Sequence, residues 1–333
     1  MKKSMILLLA LSVMLFSNVL AEQYVYYSCY PDHTALVENE MPNICYLKNG
    51  DKKGHILDMY GYIIENNSSN EGVAAVILST PEIDEIATIS FFEEGTIVSS
   101  IERKVPQGTN RILAIDDDYT YYFYRQDDDY GVRRISLNGT IETYGINHLF
   151  VDDGTFVGNT LFTINSDGML AFICPEIADF SSFESFFAPD CIFVCSPGGI
   201  AKKIAGYETD YGYGCVWTDN DCLITVSENF EIMKINTDKE SLEFIAEMER
   251  APYNTNIGFA ESHSLIAFQE YNPPKILGFI PTLEENKNRI VLLNYETGKV
   301  LAQSEYVYVP MESQVIEVQL ENSVTVDENV DIR

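Results

Sequence analysis

The densest oxygen ligands of the chain are two acidic triplets, DDD at 116–118 and DDD at 127–129, which enclose the aromatic run TYYFYR. Carboxylates packed this closely suit a hard cation such as calcium, which collects about six to eight oxygens. Neither triplet fits the D-x-[DN]-x-[DN]-G loop with a distal Glu, and the extended aromatic run between them separates the two by roughly 20 Å. One ion cannot bridge that distance. Asp tolerates turn geometry and hydrogen-bonds its own backbone, so both triplets are expected at β-turns. Histidine offers no alternative centre: residues 33, 55, 148 and 263 are scattered, and neither HExxH nor GxSxG occurs. No cofactor, resident metal or catalytic residue is expected on this basis.

The seven cysteines carry the other chemistry. Cys215 and Cys222 flank VWTDND, and a two-residue turn at Thr218 and Asp219 would set them directly opposite one another across a hairpin. That spacing suits a disulfide in an oxidising compartment. Cys29 and Cys45 form a second candidate pair. Cys191 and Cys195 share a strand face but lie about 13 Å apart along it, beyond bonding reach. An odd total leaves at least one thiol unpaired within the chain. CxxC is absent, and no zinc-binding spacing occurs.

Binding chemistry is offered by aromatic side chains in the longer linkers. Ile177, Phe180, Phe183, Phe186 and Phe187 recur at near-helical spacing, which predicts a short helix with an apolar face, suited to a ligand or to packing on the body of the fold. Tyr207, Tyr211 and Tyr213 in YETDYGYG, Tyr253 in APYNT, and Tyr271 each combine a flat apolar ring with a polar tip. Such rings suit stacking on a sugar or contact with a protein. The candidate ligand-binding residues are therefore Phe183, Phe186, Phe187, Tyr207, Tyr211, Tyr213, Tyr253 and Tyr271.

Strands have to position all of these residues. Short runs rich in Tyr, Phe, Ile and Val extend from Tyr24 to the C-terminus, and helical periodicity is weak. A strand–turn–strand motif recurs six times, as in ATISFF-EEG-TIVSSIE, GVRRISL-NG-TIETYG and RIVLLN-YETG-KVLAQSEY, with turns centred on Gly50, Gly95, Gly139, Gly199, Lys239 and Gly298. Successive turns are 45, 44, 60, 40 and 59 residues apart. Upstream of the later hairpins lies a further strand pair with an acidic or Gly turn, for example RILAID-DDY-TYYFYR and GCVWT-DND-CLITVS. Each unit then supplies four antiparallel strands, a to d. This period, with strands throughout, predicts an all-β, six-bladed β-propeller. The first unit lacks a strand a, and SQVIEVQL at 313–320 is expected to supply it and close the ring.

Several stretches resemble known propeller repeats. NTLFTINSDGMLAFICP is similar to the hairpin of TolB-like propellers, with S-x-D-G before an apolar strand. YYFYRQDDDYGVRRISLNGTIETYG resembles the YWTD-like, receptor-like repeat, in which an aromatic strand precedes an R-x-x-L-x-G hairpin. LLNYETGKVLAQ is similar to the hairpin of pyrroloquinoline-quinone-type repeats, but the Trp usual after it is missing and the sole tryptophan is Trp217. The resemblance implies the architecture and carries no catalytic residue to this chain.

The N-terminus opens with Lys2 and Lys3, an apolar run over 5–16 and the small-residue site Val19-Leu20-Ala21. It reads as a signal peptide, 1–21, followed by one propeller domain, 22–333, secreted or periplasmic. The apolar run falls short of the ~20 residues that span a bilayer. Against 51 Asp and Glu stand 21 Lys and Arg, a formal charge of −30. Such a surface repels phosphate backbones and anionic lipid, so nucleic acid and, after signal cleavage, membrane are not expected partners. In a propeller the b–c and d–a connections share one face. The insertions 31–43, 175–190 and 271–288 all fall at b–c positions, and loops of this length are often functional. The expectation is a non-catalytic module that binds a protein, peptide or glycan through this face. The alternative is a cation-dependent hydrolase or lyase with its site at the central channel.

Overall fold

The computed structural model of the chain describes residues 23–29, 42–48, 54–70, 72–77, 86–93, 96–126, 129–149, 160–175, 189–209, 214–219, 221–227, 231–247, 257–262, 264–271, 275–276, 280–281, 288–304 and 316–320. The first unit contains β1 (Gln23–Cys29), β2 (Asn43–Lys48) and β3 (His55–Tyr60). The second contains β4 (Tyr62–Asn66), β5 (Val73–Ile77), β6 (Ile86–Glu93) and β7 (Thr96–Lys104). In the third are β8 (Thr109–Ile115), β9 (Tyr119–Gln126), β10 (Asp129–Ser136) and β11 (Ile141–Thr143). The fourth has β12 (Phe162–Ile164), β13 (Leu170–Pro175), β14 (Asp190–Cys195) and β15 (Lys202–Thr209). The fifth has β16 (Cys215–Asp219), β17 (Cys222–Val226), β18 (Glu231–Asn236) and β19 (Ser241–Glu247). In the sixth, β20 (Ile257–Ser262) and β21 (Leu265–Tyr271) precede a small hairpin, β22 (Lys275–Ile276) with β23 (Ile280–Pro281), and then β24 (Asn288–Asn294) and β25 (Lys299–Gln303). The last strand is β26 (Ile316–Leu320). No α-helix occurs among the described residues. A 3-10 turn at Asn147–Leu149 interrupts the strands.

Every unit forms a four-stranded antiparallel sheet, and β26 completes the first by pairing with β1, Val25 opposite Val318. The expected strand from the tail is therefore in place. A short parallel pairing of β4 with β8, Glu65 opposite Ala114 and Asn66 opposite Ile115, fuses the second and third sheets along their first strands. The other first strands also lie side by side: β8 with β12, β12 with β16, β16 with β20, β20 with β26, and β26 with β4.

Burial explains why the middle strands read as continuous apolar runs. CLITV of β17 is buried at every position because a sheet packs on each of its faces. Each fully buried Val, Leu or Ile of this kind contributes roughly 1.5–3 kcal/mol. Apolar clusters join consecutive sheets. Tyr121, Phe123 and Val132 of the third meet Leu170, Phe172 and Phe193 of the fourth. Val25, Tyr27 and Leu47 of the first meet Leu265, Ala267 and Leu292 of the sixth.

The fourth strands, in contrast, carry exposed residues, as along TIVSSIERK of β7. The ladder between third and fourth strands slips by a bulge in five units, the third unit being regular.

The turns between first and second strands of the second, third and fourth units reuse one device, an Asn or Asp at or just after the end of the first strand, Asn66, Asp116 or Asn165, whose side chain caps the turn. Asn165 Oδ1 accepts the N–H groups of Asp167 at 3.1 Å and Met169 at 2.8 Å. The turn then passes through Gly168 at φ +75°, where a Cβ would come within 2.7 Å of the Tyr121 hydroxyl. A side chain there would clash with the neighbouring unit. The Tyr121 hydroxyl and the Arg134 guanidinium use the space that the glycine leaves, and Tyr144 donates its hydroxyl to the Gly168 carbonyl at 2.6 Å.

Candidate functional site

The acidic triplet at 116–118 is committed to a turn. Asp116 follows β8, and its Oδ1 accepts the N–H groups of Asp118 at 2.7 Å and Tyr119 at 2.6 Å. Its Oδ2 accepts the Tyr121 hydroxyl at 2.5 Å. Asp117 reaches back to the second unit, where its Oδ1 accepts both the N–H and the hydroxyl of Ser69 at 2.8 Å. Those two hydrogen bonds hold its carboxyl below the usual carboxylate range. In the other triplet Asp127 and Asp128 lie outside the described residues. Asp129 pairs with Gln126 across the turn and accepts the Tyr124 hydroxyl and an Arg133 N–H, each at 2.8 Å. Arg133 lies over the Tyr124 ring at 3.3 Å, which fixes its guanidinium beside that carboxylate.

The chemically distinctive group is one the sequence analysis passed over, Glu65. It sits near the end of β4 and reaches to the fourth unit, where it accepts the Ile164 N–H at 2.8 Å. A bond from the Thr163 hydroxyl adds to this. Its neighbour Asn67 makes the complementary contact, donating Nδ2 to the Ile164 carbonyl at 2.8 Å. From the fifth unit, Trp217 donates Nε1 to the Thr163 carbonyl at 3.3 Å. First strands of three units thus meet around one half-buried carboxyl. Loss of hydration outweighs the two hydrogen bonds and raises its pKa to about 7. Burial, and then the nearby Glu65 carboxylate, push the Cys215 thiol well above its ordinary range. The centre can take up or release a proton near neutrality. Among the described residues, no three His, Cys, Asp or Glu side chains gather to hold a metal ion.

Cys29 and Cys45 are joined by a disulfide across β1 and β2, with their Cα atoms 6.6 Å apart. The expected bond between Cys215 and Cys222 is not formed, and both residues are buried thiols. The reason is register. The ladder pairs Cys222 with Asp219 and Cys215 with Thr225.

The aromatic candidates divide in three. Tyr207 does not belong to the loop face: β15 continues to Thr209, and a register slip opposite Ile192 turns the ring inward to 3% exposure. Thr225 Oγ1 spends its hydrogen on the Gly214 carbonyl at 2.8 Å, so the Tyr207 hydroxyl is the donor in their 3.3 Å contact. Tyr271 is the last residue of β21, paired with Asn288 at the root of the third insertion. Phe183, Phe186 and Phe187, with the predicted helix that carries them, and Tyr211, Tyr213 and Tyr253 lie outside the described residues.

No protein-family model matches the chain. No curated protein matches it either. Among solved structures it is similar to a protein from Lactobacillus plantarum, at 11% identity and a TM-score of 0.36, covering 90% of this chain and 99% of that one. It is similar to apo AztD from Citrobacter koseri at 9% identity and TM-score 0.37, covering 90% and 98%. It is also similar to an oligogalacturonate lyase in complex with manganese, at 11% identity and TM-score 0.37, covering 86% and 74%. AztD and the lyase are β-propeller-type folds.

Proposed function

We propose that the six sheets are the blades of one closed β-propeller, exported after removal of residues 1–21, which binds a protein, peptide or glycan without catalysis. The binding face is the edge from which the b–c and d–a connections leave. One observation carries the reading: the longest b–c connections join β1 to β2, β13 to β14 and β21 to β24, and so leave corresponding edges of the first, fourth and sixth sheets. The a–b and c–d turns at the opposite edge are short and filled by their own capping side chains, as at Asn165 and Asp116. Tyr271 at one root, with Phe183, Phe186, Phe187, Tyr211, Tyr213 and Tyr253 in the connections, supplies apolar rings for the ligand. The Cys29–Cys45 bond is compatible with export. The formal charge of −30 favours a neutral or basic partner over nucleic acid or an anionic membrane.

Catalysis by a bound cation would need several oxygens converging on one point. Among the described residues the centre offers the Glu65 carboxyl, already engaged by Ile164 and Thr163. The test is to screen the chain without residues 1–21 against peptide and glycan arrays, then compare two variants on the strongest hit. Replacing 176–188 by a two-residue turn should weaken binding more than tenfold. Changing Asp116, Asp117 and Asp118 to Asn should leave it within twofold. The reverse pattern would refute the proposal and favour a cation site at the turns.

A further inference from the structure

Insertions in the first and fourth units are bracketed by cysteines at matching places. Cys29 ends the second strand of its sheet and Cys45 lies in the third, 16 residues later, and the two are bonded. In the fourth unit Cys174 lies near the end of the second strand, β13, and Cys191 near the start of the third, β14. Residues 176–188 lie between them, as 30–41 lie between the first pair.

Cys174 stands directly opposite Cys191 in the ladder. Two residues further in, Phe172 stands opposite Phe193, their rings stacked at 5.7 Å. The strand period of two puts all four side chains on one face, and all four belong to the cluster packed against the third unit. Opposed residues of antiparallel strands hold their Cα atoms about 4.5 or 5.5 Å apart, inside the roughly 4.4–6.8 Å that a disulfide spans. Cys195 is no competitor. It faces Leu170 in the ladder, four residues along the strand from Cys191, and its thiol lies 3.5 Å from the Gly199 and Ser196 carbonyls; the Cys191 thiol lies 3.6 Å from the Pro189 carbonyl.

We propose that Cys174 and Cys191, buried thiols in this structure, form a second disulfide in the oxidised protein, the counterpart of Cys29–Cys45, which ties the two stems of the 176–188 segment. The bond forms before the sheets pack, because in the folded protein Cys174 is 3% and Cys191 0% exposed. Burial also pushes the Cys174 thiol up, away from the reactive thiolate. One thiolate attacks a small disulfide oxidant and expels one of its thiols. The other thiolate then displaces the second. Two electrons and two protons pass from the chain to the oxidant, which leaves as two thiols. The bond stands independently of the proposed function; its use in holding a ligand-binding segment rests on that reading.

Full-length chain refolded in a glutathione and glutathione-disulfide mixture that bridges Cys29 to Cys45 is denatured, alkylated without reductant, and mapped by mass spectrometry. The expected result is a peptide containing Cys174 linked to one containing Cys191, with alkyl groups on Cys195, Cys215 and Cys222. Alkylation of both Cys174 and Cys191, or a bond from either to another cysteine, would overturn the proposal. Cys191→Ser should expose one additional titratable thiol in the denatured chain, and a count lower by one, as two free thiols in the parent would give, would likewise refute it. The map reads the bond alone, so a chain that carries it and binds nothing on the arrays would refute the function and not the disulfide.

Discussion

Replacing Glu65 with Gln should stabilise the protein at alkaline pH and leave it nearly unchanged in acid. The carboxyl rises from an ordinary value of 4.5 to about 7 on folding. Between those values the unfolded chain releases this proton and the folded chain keeps it. Stability is therefore fully present below about pH 4.5 and lost as pH climbs through 7. At 1.36 kcal/mol per unit the cost is small at pH 4, about 2 kcal/mol at pH 6, and levels off near 3 kcal/mol by pH 8. Gln keeps an oxygen that can accept the Ile164 N–H and carries no charge, so it escapes this cost. Unfolding entropy of about 2 cal/mol/K per residue makes 3 kcal/mol worth about 4 °C in a chain of 333 residues. Thermal melts of both proteins from pH 4 to pH 8, read as their difference, remove the contribution of the other acidic groups. A difference independent of pH, or one that shrinks as pH rises, would show that the carboxyl is not desolvated at the centre.

Two further outcomes follow from the turns and the disulfide. Cys29→Ser opens a bond of sequence separation 16, which chain entropy values at about 3 kcal/mol, so its melt should fall by about 4 °C relative to the oxidised parent and, with Cys174 and Cys191 still joined, stay above that of the fully reduced parent. Asp116→Ala removes three acceptor contacts at once and should cost about 1–3 kcal/mol in urea unfolding, whereas Asp116→Asn keeps the capping oxygen and should cost under about 1 kcal/mol.

The repeat was legible because each unit declares itself locally. Turn residues such as Asn138-Gly139 and the Gly298 hairpin fix the third-to-fourth strand pairs with no information from elsewhere in the chain. What stayed hidden depends on register or on distant neighbours. The symmetry of VWTDND about Thr218 and Asp219 suggested one hairpin centre. The ladder is centred elsewhere, with Asp219 opposite Cys222, and the shift parts the two cysteines. Tyr207 sits in a Tyr- and Gly-rich stretch that reads as a connection, but a bulge draws it into the core. Glu65 left a trace, a lone acid after the apolar run Tyr62, Ile63 and Ile64. Its partners Thr163 and Ile164 lie almost a hundred residues away, so no local pattern gives it meaning.

The slipped ladders of the fourth strands have a consequence at high protein concentration. A straight outer strand is a template: its unpaired amides and carbonyls form an evenly spaced row that a second copy can extend, and copies can then add without limit. The hazard is concrete here, since Ile97, Val98 and Phe244 on β7 and β19 are about half exposed and would hold such a contact together. A bulge twists the edge and breaks the even spacing, so an incoming strand gains few bonds before it diverges. Mutual repulsion between copies bearing a charge of −30 opposes the first encounter as well. The fourth-strand edges thus resist fibre growth by geometry and charge, and apolar residues on them need not be buried for copies to stay apart.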